Sequence, residues 1–172
     1  MYLPTYLVNA YDLSASDAAA RTAGFVVLAV AMRPVGGTLS DKVGPVPVLM
    51  VSFVAAAVLA LVAALELPLV PGATIAFLGL AAALGAASGA VFALVAQVAP
   101  ADKVGAVTGI VGAAGGLGGF FPPLVMGAVY DRVGDYSLGY VLLAVSAFGV
   151  AWFTWGPVRR AARARAAEVT TA

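Results

Sequence analysis

The chain has no cysteine and no histidine. The first absence rules out a disulfide framework or a thiolate metal site. The second removes the commonest metal ligand and general base. Charge is also scarce: Asp, Glu, Lys and Arg make up 10% of the 172 residues, where soluble domains carry about 25%. The long apolar runs do not alternate with polar residues, so a barrel of membrane strands is not expected. The N-terminal MYLPTYLVNAYD lacks the basic region and cleavage site of a signal peptide. Nothing resembles a catalytic dyad or triad. The GGLGG run at 115–119 is no nucleotide loop, because no strand precedes it and no lysine follows the glycines. We therefore expect no enzyme activity, no cofactor, no metal and no nucleic-acid partner.

What remains is 63% hydrophobic, with a mean hydropathy of +1.04. This reads as an all-α polytopic transmembrane bundle. Five full spans are expected at about 17–39, 45–65, 73–98, 105–130 and 137–156, each of about 20 residues or more and so able to cross a hydrocarbon core of about 30 Å. Residues 1–10 are apolar but too few to span, and read as the last turns of a truncated sixth helix. Residues 1–157 would form the membrane half-bundle and 158–172 a basic tail. Ser14 or Ser16 is a plausible N-cap for the first full span. Pro45 and Pro47 suit the first turn of the second.

An odd number of full spans puts the two ends of this bundle on opposite faces. Lys42, Lys103, Arg159, Arg160, Arg163 and Arg165 fall on the side of the tail, and only Arg21 and Arg132 on the other. The positive-inside bias then places the tail in the cytoplasm of an inner membrane, against anionic lipid. The acids lean the other way, with Asp12, Asp17, Glu66, Asp131 and Asp135 outside and Asp41, Asp102 and Glu168 inside. An octapeptide also recurs. Gly37–Gly44 and Gly127–Gly134 both read G-x-[LV]-x-D-[KR]-V-G, one at each face. Such inversion marks secondary transporters, although a chain this rich in Gly and Val also matches itself by chance.

The most unusual stretch is Gly105–Gly127, GAVTGIVGAAGGLGGFFPPLVMG. Each interior glycine costs a helix in water about 0.5–1 kcal/mol relative to alanine. In lipid the backbone has no water to bond, and glycine becomes a packing device. Gly105, Gly109, Gly112, Gly116 and Gly119 fall within an arc of about 80° at 100° per residue. That stripe would admit another backbone or a small ligand. Pro122 and Pro123 interrupt its far end. The Gly85–Gly89 pair reads as ordinary small-residue packing.

Arg33 is the one charge well inside an apolar segment, about 24 Å along the span from Asp17 and about 9 Å from Leu39. A charge at the bilayer centre costs at least about 2.5–3.5 kcal/mol, so it usually faces a cavity or a partner. No carboxylate lies within a span to pair with it. It either holds an anion, which its planar fork suits, or snorkels to the near interface. Pro34, next to it, is a candidate kink. Asp41 reads as a loop carboxylate that latches a neighbouring helix end, a gating role. Tyr2, Tyr6, Tyr11, Tyr130, Tyr136, Trp152 and Trp155 lie near span ends and read as an interfacial belt.

Three stretches, RPVGGTLSDKVG at 33–44, GAVFALVAQVAP at 89–100 and VTGIVGAAGGLGGFFPPLVMG at 107–127, together resemble the C-terminal half of the nitrate/nitrite porters of the major facilitator superfamily. Gly37, Asp41 and Gly44 carry only the superfamily pattern. The GAAGGLGGFFPP run is more specific and resembles the second of that family's nitrate motifs. The resemblance implies twelve helices in two halves, with helices eight to twelve and the end of helix seven present here. It implies that Arg33 binds nitrate or nitrite with an arginine of a missing six-helix N-terminal half. Gly112, Gly115 and Gly116 would line the substrate path. Gly37, Asp41, Gly44, Gly119, Pro122 and Pro123 would serve gating or structure. One arginine is half a site, so this chain alone is not expected to transport. No acid lies inside a span, so any proton carrier belongs to the other half or is the substrate itself. A porter for another small anion and a non-transporting membrane subunit remain as alternatives.

Overall fold

The computed structural model describes residues 3–134 and 136–164. Tyr2, Asp135, Arg165 and Glu168, used in the sequence reading, lie outside them, as does the side chain of Asp131. Among the described residues, seven α-helices follow in order: α1 Leu3–Tyr11, α2 Ala15–Val43, α3 Pro45–Ala64, α4 Thr74–Val98, α5 Val104–Gly118, α6 Phe121–Val133 and α7 Ser137–Phe153. A kink at Leu69–Ala73, where Val70 is extended (φ −121°, ψ 125°), leads into α4, and a π-helical turn at Thr154–Val158 leads out of α7. Among the described residues, five helical rods are long and apolar enough to cross a membrane: Ala15–Val43, Pro45–Ala64, Leu69–Val98, Val104–Tyr130 and Ser137–Ala164. The all-α membrane architecture expected from hydropathy is what the chain adopts.

The helix ends follow local chemistry. Ser14, not Ser16, caps α2, its Oγ accepting from the Asp17 amide at 3.1 Å. Pro34 does not end α2, which runs on through it to Val43. Gly44 does end it, at φ +89°, and donates its amide to the Ser40 carbonyl at 2.9 Å. Gly134 closes α6 in the same way, at φ +80°, donating to the Tyr130 carbonyl at 2.9 Å. The two copies of the octapeptide thus share a glycine terminator in backbone geometry that only glycine adopts without strain. This termination also places Asp41 on a helix rather than in a loop. The polar run Ser40–Val43 is the last turn of α2. Asp41 there is exposed, and among the described residues it makes no ion pair or hydrogen bond. The N-terminus of α3 has no side-chain cap at all.

The bundle is held at its centre by α2 against α4, the most extensive pairing in the chain. A Cβ placed on Gly36 would collide with the Ala86 carbonyl oxygen, one on Gly85 with that of Ala29, and one on Gly89 with that of Arg33. Glycine is required at all three because one backbone lies directly on the other. α3 carries the chain back from the end of α2 to the start of α4, so α2 and α4 run in the same direction, with α3 packed beside α4 rather than in the crossing. α3 packs on α4 and α7 through small residues, Ser52, Ala56, Ala57, Ala60 and Ala63 facing Ala144, Ala147 and Ala151.

Tyr6 and Leu7 of α1 close one end of this bundle, 1% and 0% exposed. The Tyr6 ring meets Tyr136 at 4.8 Å, Tyr140 at 5.4 Å and Phe77 at 5.7 Å between centroids, all edge to face. Phe77 in turn touches Phe25. Asn9 donates to the Tyr136 hydroxyl at 3.1 Å, and Tyr11 to the Leu67 carbonyl at 3.0 Å. The tyrosines expected in an interfacial belt are therefore divided. Tyr6 and Tyr136 are core, because the short helix α1 supplies a wedge that α2, α4 and α7 close around. Trp152 and Trp155 stay exposed, as a belt requires.

The glycine-rich rod differs from the rest. It divides at Gly119–Phe120 into α5 and α6. Pro122 has no N–H to give, and its ring would meet the Gly118 carbonyl four residues back, so the helix restarts with the prolines in its first turn. No residue of α5 is buried.

If Tyr6 is the wedge, Tyr6→Ala should lower stability by about 3–5 kcal/mol, as for other large aromatic truncations. Trp152→Ala, 81% exposed, should change it by no more than about 0.5 kcal/mol. Thermal unfolding in detergent reads both, and equal losses would contradict the arrangement.

Candidate functional site

Arg33 lies 18 residues from the start of α2 and 10 from its end, about 27 Å and 15 Å along the axis. Its carbonyl is pressed under Gly89, which fixes the backbone that carries the guanidinium. The side chain enters a cleft of about 500 Å³ between α2, α4 and α5. The other walls are Ser88, Val91 and Phe92 from α4 and Val111, Gly112, Gly115 and Gly116 from α5. Among the described residues that line it, Arg33 brings the one charge and Ser88 the one hydroxyl. Arg33 makes no ion pair among the described residues.

The structure thus brings Arg33 together with Gly112, Gly115 and Gly116, the residues expected to bind substrate. They come from spans separated in the chain by some eighty residues. Gly119, Pro122 and Pro123 form the break between α5 and α6 and stand apart from the cleft. Gly44 and Asp41 are at the end of α2, also outside it. Gly37 had been expected to be structural, yet a Cβ there would meet nothing within 4 Å; the tight position is its neighbour Gly36. Gly37 contributes its amide, which lies 2.9 Å from where a Cβ on Gly89 would stand.

Sequence reasoning passed over Ser88 and Phe92. The signal for Ser88 was present, since it is the one hydroxyl inside the long apolar run of α4 and precedes Gly89. Phe92 follows Ser88 by four residues and so shares its face.

The chemistry of the cleft is that of a receptor for a small flat anion. A guanidinium donates two parallel hydrogen bonds to two oxygens of such an ion. Once the open side is covered, apolar walls would limit competing water and strengthen such an attraction. A flat oxyanion of three or four atoms fills only a few water volumes of about 30 Å³, so a cleft of about 500 Å³ leaves one side to be closed by something else. The glycine face is positioned for that closure. A Cβ on Gly105, Gly109, Gly112, Gly115, Gly116 or Gly118 would meet nothing within 4 Å. A helix face kept bare of side chains yet touching nothing has room for another backbone.

A family model described as Major Facilitator Superfamily matches residues 1–171. Over 154 residues the chain is 53% identical to "Probable nitrate/nitrite transporter NarK2" of Mycobacterium tuberculosis H37Rv, covering 89% of this chain and 39% of that protein. It is 36% identical over 159 residues to "Nitrite extrusion protein" of Bacillus subtilis 168, covering 90% and 40%. It is 39% identical over 157 residues to "Probable nitrate transporter NarT" of Staphylococcus haemolyticus JCSC1435, covering 91% and 40%. The chain therefore spans about two fifths of the length of the curated relatives it matches. No solved structure matches it significantly.

The bare stripe and the crowded crossing are distinguishable by the smallest side chain. Gly112→Ala and Gly115→Ala should leave the thermal stability of this chain within about 0.5 kcal/mol of the parent. Gly85→Ala and Gly89→Ala should destabilise it by about 1–3 kcal/mol through overpacking. Equal effects in the two pairs would contradict the uncovered stripe.

Proposed function

The chain belongs to the Major Facilitator Superfamily, and from that premise we propose that it forms the C-terminal half of a secondary transporter moving nitrate or nitrite by alternating access. The observation that carries this reading is the shared cleft of Arg33 and the glycine face of α5. The relatives' printed names, all of nitrate or nitrite transporters, supply the substrate. Two fifths of a relative's length accommodates one half of such a protein, and the remainder would supply the second wall of the site.

In this reading the anion lies between Arg33 and a cationic group of the other half. Rocking of the halves exposes it to each side in turn. The stripe Gly112, Gly115 and Gly116 lets a helix of the other half approach closely and slide, since glycine offers no side chain to lock against. The passage stays narrow enough for a planar ion. α2 and α4, clamped backbone to backbone, move as one body and hold Arg33 in register. Asp41, exposed at the end of α2, is free to meet a basic group of the other half in one of the two states and so latch it. The excess of basic residues at the end bearing Lys42, Lys103, Arg159, Arg160 and Arg163 supports a cytoplasmic C-terminus in an inner membrane.

Arg33→Lys in the full-length protein tests the site. A point charge replaces a bidentate fork, which removes one charge-assisted hydrogen bond worth about 1.5–3 kcal/mol. Apparent affinity for nitrate, followed as labelled-nitrate uptake at matched expression, is expected to fall about 10- to 100-fold. Near-normal uptake would refute the assignment.

A further inference from the structure

A second concave surface lies on the far side of the bundle and shares no residue with the cleft of Arg33. It is a groove of about 490 Å³ where the first turns of α3 meet the end of the α7 rod. Val46, Pro47, Met50 and Val51 form one wall; Trp155, Arg159 and Arg163 form the other. The guanidinium of Arg159 lies over the Trp155 ring, 4.3 Å from its centroid. That cation–π contact steers it toward the groove. Arg163 follows one turn later on the same face. We propose that this groove binds an anionic phospholipid of the adjoining leaflet, headgroup on Arg159 and Arg163 and acyl chain along α3.

Depth supports the headgroup position. Arg159 is 22 residues beyond Ser137, the start of α7, which is about 33 Å of helix. The hydrocarbon core is about 30 Å thick, so the guanidinium reaches the level of the phosphates. Trp155, one helical turn or about 6 Å deeper and exposed, sits where interfacial tryptophans sit.

The apolar side distinguishes a lipid from a free anion. The groove continues down α3 as a shallower furrow lined by Met50, Val51, Val54 and Ala55. The two share Met50 and Val51, so the path from the arginines into the bilayer is unbroken. Val51 is 71% exposed and directed at whatever fills that path. A phosphate ion would use the arginines and leave this wall empty; a phospholipid uses both. Among the described residues, no carboxylate lines either part.

The test is native mass spectrometry of the full-length protein in detergent with equal amounts of phosphatidylglycerol and phosphatidylcholine of matched chains. Phosphatidylglycerol should be retained about 25-fold over phosphatidylcholine, about fivefold for each of the two arginines. Arg159→Gln with Arg163→Gln should reduce that preference about fivefold per arginine. Arg160→Gln, outside the groove, should keep most of it. A large excess of inorganic phosphate should not displace the lipid. Equal retention of the two lipids by the unaltered protein would overturn the proposal, whether or not the double variant accumulates. So would a preference unchanged in the double variant, or displacement by inorganic phosphate.

Discussion

Everything else in this chain is arranged around one contact, the backbone of α2 lying on the backbone of α4. Gly36, Gly85 and Gly89 make it possible, and no other residue fits at those positions because the opposing atoms are carbonyls that cannot turn aside. In lipid there is no hydrophobic force to bring helices together, so such close packing, with the dispersion it gains, is what association rests on. The contact also explains how an arginine is held at depth. The Arg33 carbonyl is trapped beneath Gly89, while its side chain emerges into the cleft beside Ser88. A charged group at this depth is tolerated because its head faces a cleft rather than lipid tails.

The same glycine chemistry is used in two opposite ways. At the α2–α4 crossing the glycines are filled against and rigid. On α5 they are bare, and no residue of that helix is buried. A helix in this state gains little from its own bundle. Its small residues acquire a purpose only when a second surface arrives. A clamp beside an unoccupied slide is a physical basis for a body that moves against a partner while keeping its binding group fixed. The aromatic wedge at Tyr6 ties α1, α2, α4 and α7 together at one end, so motion along α5 need not loosen the rest.

Much of this was legible in the residues. Hydropathy and paired prolines located the rods, and Gly44 and Gly134 stand where their helices end. Arg33 was conspicuous as a lone charge in an apolar run. Other features were not legible, for definite reasons. Gly36 and Gly37 differ by 100° of rotation about the helix, and only the crossing of α2 over α4 decides which of them faces the neighbour. Tyr6 near a span end reads equally as interface or core until α1 is seen to be inserted. Asp41 lies in a polar run that looks like a loop, but the terminator is Gly44, and the helix continues to it. The break at Gly119–Phe120 was available from Pro122 and its carbonyl four residues back, a rule that the overall hydropathy of the stretch obscured. Ser88 was hidden by its small size among alanines.

The central claim is that Arg33, Ser88 and the glycine face of α5 surround one anion site. Because this chain has no cysteine, Ser88→Cys places a single thiol in it, at the wall of the cleft. The decisive measurement is the rate of thiol labelling of that variant in the assembled, transporting protein, with and without nitrate. Nitrate should slow labelling, chloride should not, and the protection should vanish when Arg33→Gln is added. Labelling indifferent to nitrate, in a variant that still transports it, would contradict the site.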